Sequence, residues 1–276
     1  MKIFETWRIS LTFCLALMAA VTTLAASAAW SADNATAEDA ALQDREFRAR
    51  LLDMAGFISG AQAFSVTIRS GYDAIQADGQ RIEFGEKRRI TLQRPDRLRV
   101  EAERSDGDRG LFLFDGKVLT AFKTDDNVYA QMDRNGTVDE MLVYMVRDLR
   151  LTLPLARMFH SGFRGSLEKM VTSVSFVEEN FLFDVPTDHL AVRSENVDLQ
   201  VWIAQGERPL PRRAVITYKS KPGQPQFWAE LSDWNFSPAV TEASFSFTPP
   251  PGAEKIPLLA PARKKGALPM QEGGAQ

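Results

Sequence analysis

Apolar and polar positions change period three times along this 276-residue chain. Between Leu42 and Phe57 the apolar residues Leu42, Phe47, Leu51, Met54 and Phe57 fall at helical spacing, with acids at the front and Gly56 near the end. This predicts an amphipathic helix. From Phe64 the period becomes two: Phe64, Val66 and Ile68 alternate with Ser65, Thr67 and Arg69. Ile82 and Phe84, Ile90 and Leu92, and Leu98, Val100 and Ala102 follow. Turn chemistry at Asp78-Gly79, Arg94-Pro95-Asp96 and Asp106-Gly107 separates these runs into a meander of antiparallel strands.

Gly110–Phe114 and Lys117–Phe122 flank Asp115-Gly116, a pair that favours a type I′ hairpin turn, and Val128–Met132 adds a short strand. Between Thr137 and His160 the pattern returns to helix. Val138, Met141, Leu142, Met145, Val146 and Leu149 form one stripe, Asp139 and Glu140 lie at the positive end, and Pro154 divides the segment into two short helices. Strands are expected again over Val171–Val177, Asn180–Val185, His189–Arg193, Leu199–Ala204, Arg213–Lys219, Phe227–Phe236 and Phe245–Phe247. The predicted fold class is mainly β with helices.

The two ends read differently. Residues 1–28 have the layout of a secretory signal peptide: a basic start, an apolar stretch from Ile9 to Leu24, and small residues around a cleavage site after Ala28. That stretch is shorter than the roughly 20 residues a spanning helix needs, so no stable membrane span is expected after cleavage. Residues 29–40 read as a flexible leader, 41–257 as one domain, and 258–276 as a disordered tail rich in Pro, Ala, Lys and Gly. The one cysteine, Cys14, lies inside the apolar stretch, so the exported domain relies on its core without disulfides. The net charge of −3 carries no basic footprint for nucleic acid.

Reactive chemistry is sparse. The only histidines, His160 and His189, lie outside any known catalytic motif; one is expected at a helix end and the other at a strand start. No metal-ligand pattern, nucleophile elbow or phosphate-binding loop occurs. The acidic pairs Asp125-Asp126 and Glu178-Glu179 fall in expected turns and read as solvated. No enzyme activity, cofactor or metal is expected.

Four local patterns, in order, resemble the periplasmic outer-membrane lipoprotein carriers of the LolA/LolB superfamily, and more closely an uncharacterised exported family within it. They are Leu92-Gln93-Arg94-Pro95-Asp96-Arg97-Leu98-Arg99, the Phe114-Asp115-Gly116-Lys117-Val118-Leu119 hairpin, and Phe245-Ser246-Phe247-Thr248-Pro249-Pro250-Pro251-Gly252. The fourth comprises Asp188-His189-Leu190-Ala191, Trp202-Ile203 and Pro209-Leu210-Pro211-Arg212.

The resemblance implies a curved antiparallel sheet forming an incomplete barrel, with the N-terminal helix and the Thr137–His160 segment as plug and lid. It further implies a periplasmic carrier that shelters acyl chains of a lipid or lipoprotein. Arg94 matches the carriers' arginine that bonds lid backbone, although a solvated arginine before a strand-breaking proline has the same sequence. Met141, Leu142 and Met145 would face the cavity, and the same stripe equally suits permanent core. Phe112, Phe114, Trp202, Trp228 and Trp234 are candidate cavity-lining residues, which an ordinary β core would also explain. The alternative function is an interaction module for an envelope protein partner.

Overall fold

A computed structural model describes residues 41–182 and 184–258. The expected signal peptide, the leader and residues 259–276 of the tail lie outside the described residues. The chain divides after Glu46, and the larger unit begins at Phe47. Residues 41–60 are helical (α1), and the following account concerns the larger unit, which includes α1 from Phe47 onward.

Alternation builds one 12-stranded, curved, unclosed sheet. Its first half is a meander of β1 (Ala63–Ile75), β2 (Arg81–Gln93), β3 (Arg97–Arg104), β4 (Arg109–Phe114), β5 (Val118–Lys123) and β6 (Val128–Asp133). Three helices follow: α2 (Val138–Arg147), α3 (Ala156–Phe159) and α4 (Phe163–Met170). A second meander comprises β7 (Val171–Leu182), β8 (Val185–Ser194), β9 (Val197–Ala204), β10 (Pro211–Tyr218) and β11 (Gln226–Asn235). β1 pairs with β11 and joins the two halves, so the spatial order is β12-β6-β5-β4-β3-β2-β1-β11-β10-β9-β8-β7. The end strand β12 (Glu254–Lys255) is parallel to β6, the one departure from an antiparallel sheet.

Cross-strand register shows which residues share a face. Phe64 on β1 lies opposite Leu92 on β2, which faces Leu98 on β3, then Phe114 on β4, then Leu119 on β5. These five are essentially inaccessible to solvent and pack with Leu51, Met54 and Ile58 of α1 and Val138, Met141 and Met145 of α2. Burying each such side chain contributes about 1.5–3 kcal/mol. This inner face holds the core, and the helices cover it.

β4 is apolar on both faces because both are covered. Its outward Leu113 is buried, as is the neighbouring outward Thr120, while Phe247 packs against Phe122 and Tyr129 of the outer face at 5.5 and 5.3 Å. The Phe245–Phe247 strand is therefore not found. Phe245 ends a 3₁₀ turn (Glu242–Phe245), and the segment crosses the outside of the sheet without pairing until β12.

Several local expectations are corrected. The β4–β5 loop is centred one residue later, on Gly116-Lys117, and only Gly116 takes positive φ (+84°). The Asp115 carboxylate accepts from the Lys117 and Val118 amides, which fixes this loop without a second left-handed residue. Glu178 and Glu179 lie within β7, not in a turn, because a bulge between Phe176 and Glu178 lets the strand continue to Leu182. The segment expected as a strand over Asn180–Val185 is split at Asp184 (φ +59°). The lid has two short helices on either side of Pro154, as expected, but they do not fill Thr137–His160: α2 ends at Arg147, α3 has a single turn, and Val146, expected on the apolar stripe, is exposed.

Candidate functional site

The cover over the inner face begins at Thr137, which caps α2. Its hydroxyl accepts from the Glu140 amide while the Glu140 carboxylate accepts from the Thr137 amide, a reciprocal capping box. This sets the helix phase so that Val138, Met141, Leu142 and Met145 point inward and are buried, while Val143 and Val146 point out. In this conformation the three candidate lid residues, Met141, Leu142 and Met145, are part of the core.

Arg94 sits where cover, sheet and α1 meet. It precedes Pro95, to which it is joined by a cis peptide bond, and its backbone amide donates to Gln62 O at 2.8 Å. Its guanidinium donates to Ala61 O (3.1 Å), beyond the end of α1, and to Phe159 O (2.9 Å) of α3. It also meets Asp139 Oδ1 of α2 at 3.4 Å. A planar fork with five donors can serve three such acceptors at once. Burial lowers the Arg94 pKa, against the opposing pull of Asp139. The adjacent Pro95 carbonyl accepts from the Val138 amide at 2.8 Å, tying the same turn to the first residue of α2. Behind the turn is a recess of about 390 Å³ lined by Arg94, Asp96, Arg97, Glu242 and Phe245, among others.

Asp139 is the second hub. Its carboxylate accepts from the Ser161 amide at 3.0 Å and from the Ser161 hydroxyl, joining α2 to the turn after α3. Burial pushes the Asp139 carboxyl upward. The Ser161 hydrogen bonds, with His160 and the Arg94 guanidinium close by, outweigh that and hold it below the usual carboxylate range. His160, half exposed at the end of α3, accepts from the Gly162 amide through Nδ1 at 2.9 Å.

The aromatic candidates separate. Phe114 is buried and Phe112 partly buried on the inner face, and Trp234 packs on Phe64 at 5.6 Å with its indole N–H donating to Pro211 O. Trp202 and Trp228 are corrected: Val201, Ile203, Phe227 and Ala229 take the core-facing positions of β9 and β11, so both tryptophans lie on the outer face. There Trp202 stacks on His189 at 3.9 Å, and Arg213 lies 5.6 Å from each indole. His189 is thus inside β8, buried by stacking, with Nε2 3.1 Å from Gln200 Oε1. Trp228 lies over Gly71, where a Cβ would come within 2.5 Å of its indole nitrogen.

Residues missed from sequence include α4, whose Phe163, Leu167 and Met170 recur at i, i+4 and i+7, a readable signal. Its Arg164 donates to Leu52 O of α1 at 3.0 Å. Arg50 of α1 pairs with Asp188 of β8 at 3.0 Å and donates to Ala204 O, fastening α1 to the second half of the sheet. Among the described residues, no group of three or more His, Cys, Asp or Glu is placed to hold a metal ion. No helix among them is long and apolar enough to cross a membrane.

Residues 48–259 match the family described as "Predicted periplasmic protein (DUF2092)". The chain belongs to this periplasmic family. No curated protein matches it. Among solved structures it is similar to the lipoprotein LppX of Mycobacterium tuberculosis, at 13% identity and a TM-score of 0.46, covering 72% of this chain and 100% of that one. A LolA superfamily protein from Nitrosomonas europaea matches at 13% identity and a TM-score of 0.34, over 71% of this chain and 96% of that one. MucB, in its complex with MucA from Pseudomonas aeruginosa, matches at 14% identity and a TM-score of 0.39, over 73% and 60%.

Proposed function

We propose that this DUF2092 protein binds the hydrophobic part of a lipid or lipoprotein on the inner face of its sheet, with α2 and α3 as a movable cover. The observation that carries this is the division of labour at the cover. Its contact with the sheet is apolar and includes Met141, Met145 and Met158, whereas its polar attachment is concentrated at Arg94, Pro95 O and Asp139. Apolar contacts can be exchanged for acyl chain at about 0.8 kcal/mol per buried CH₂, and methionine adapts to either partner. A few localised hydrogen bonds then decide whether the cover stays down. No covalent step is involved.

Native mass spectrometry with lipid extraction, on the protein purified gently from a periplasmic fraction, tests this beside Arg94→Leu. Lipid or acylated protein should co-purify, in an amount altered by the variant. A clean apo protein indifferent to added lipid would sink the reading. That result would favour an interaction module for an envelope protein. The observation behind that second reading is the outermost strand β7, which carries exposed Val177 and Phe181.

A further inference from the structure

The inner face does not end where the helices do. Beyond Ile68, β1 continues through Ser70 and Tyr72, and β2 carries Arg88, Glu86, Phe84 and Ile82 opposite Ile68, Ser70, Tyr72 and Ala74. All of these share the core-bearing face. Tyr72 and Phe84 stack at 5.8 Å yet are 41% and 43% exposed, and Ile82 is also exposed. This patch is continuous with the core, because Tyr72 lies opposite buried Phe227, which faces Ile216 and then Leu199.

Between the covered core and this patch runs a charged band. Arg88 grips the Glu86 carboxylate through two hydrogen bonds of 2.8 and 2.6 Å, so each cancels the other. Directly opposite Glu86, on the same face of β3, stands Arg104. Among the described residues no side chain pairs with its guanidinium. The far end of the inner face therefore combines exposed aromatic surface, continuous with the core, and one uncompensated cation beside it.

We propose that this far end is a standing binding site for an amphiphile with a single acidic headgroup, its chain on Tyr72, Phe84 and Ile82 and its carboxylate or phosphate on Arg104. The inference rests on the reading that the inner face takes acyl chains, but it does not require the cover to move. A lone exposed guanidinium holds a free anion weakly. Apolar surface beside it selects a ligand with both parts.

Calorimetric titration of the mature protein with decanoate, decanol and inorganic phosphate, at a pH where the acid is ionised, tests the assignment. Decanoate should bind, decanol roughly tenfold more weakly, and phosphate not measurably. Arg104→Gln should remove the preference for the acid over the alcohol. Tyr72→Ser combined with Phe84→Ser should abolish this binding. No binding of decanoate, equal binding of acid and alcohol, or indifference to Arg104→Gln overturns the proposal. Binding that responds to Arg94→Leu and ignores the Tyr72/Phe84 pair overturns it too, while leaving the lid reading intact.

Discussion

Phe64 and Tyr72 project from the same face of the same strand, and each has an apolar partner opposite it on β2: Leu92 for the first, Phe84 for the second. Phe64 has no exposed surface, whereas Tyr72 is 41% exposed. The strands treat the two positions alike; the cover does not. At one end α1, α2 and α3 complete the core, and at the other the same face ends in water. Alternation assigns a side chain to a face, and a second element decides whether that face is core or binding surface.

The largest test of this contrast is truncation. Phe64→Ala should cost about 3–5 kcal/mol in urea unfolding, as a large cavity in a filled core does. Tyr72→Ala should cost less than about 1 kcal/mol, since partly exposed positions lose little. Equal losses would mean that the far end is structural core.

Gly71, between the two, probes the outer face. Gly71→Ala would place a methyl group against the Trp228 indole, and about 1–3 kcal/mol of strain should appear with a shift in tryptophan emission. A silent substitution would show that the indole rests there loosely.

The attachment of the cover should respond more locally. Arg94→Leu leaves the carbonyls of Ala61 and Phe159 without this donor and should cost about 1–3 kcal/mol. Hydrogen exchange should quicken in α2 and α3 well before it does in β8 and β9. Uniform quickening would make Arg94 a general core contact.

Smallest is the acid response of Asp139. Its folded pKa lies below its unfolded value of about 3.9, so its contribution is complete above that value and is lost as pH falls through the folded pKa. Cover amides should therefore lose protection only below about pH 4. Asp139→Asn, already lacking the charge, should flatten that acid limb of the stability curve.

Much of this was readable from the sequence because alternation and turn residues act locally. The first meander follows Phe64, Val66 and Ile68 and the breaks at Asp78-Gly79, Arg94-Pro95 and Asp106-Gly107, and the apolar stripe of α2 emerges from Val138 to Met145. Strand parity places Trp202 on the face opposite Val201 and Ile203; it cannot say that the pair faces the core and the tryptophan faces out. That depends on where α1 and α2 land. Phe245 and Phe247 alternate like a strand, yet their partners are side chains on the outside of β4–β6. Glu178-Glu179 look like a turn because a bulge, invisible in composition, carries β7 past them. The charged band and Arg104 could not be located until register placed Glu86 beside them.

The pairing of β1 with β11 has a kinetic consequence. Every other antiparallel neighbour in the sheet follows its partner directly in sequence, but this ladder joins residues 65–72 to residues 227–235. Closing so long a loop carries the largest entropic penalty of any pairing here and is rewarded only once both hairpin arrays exist. The newly unfolded or newly exported chain should thus pass through two half-sheets whose apolar faces are not yet joined. That interval is when the protein is most exposed to aggregation and proteolysis, and when an assisting chaperone would matter most.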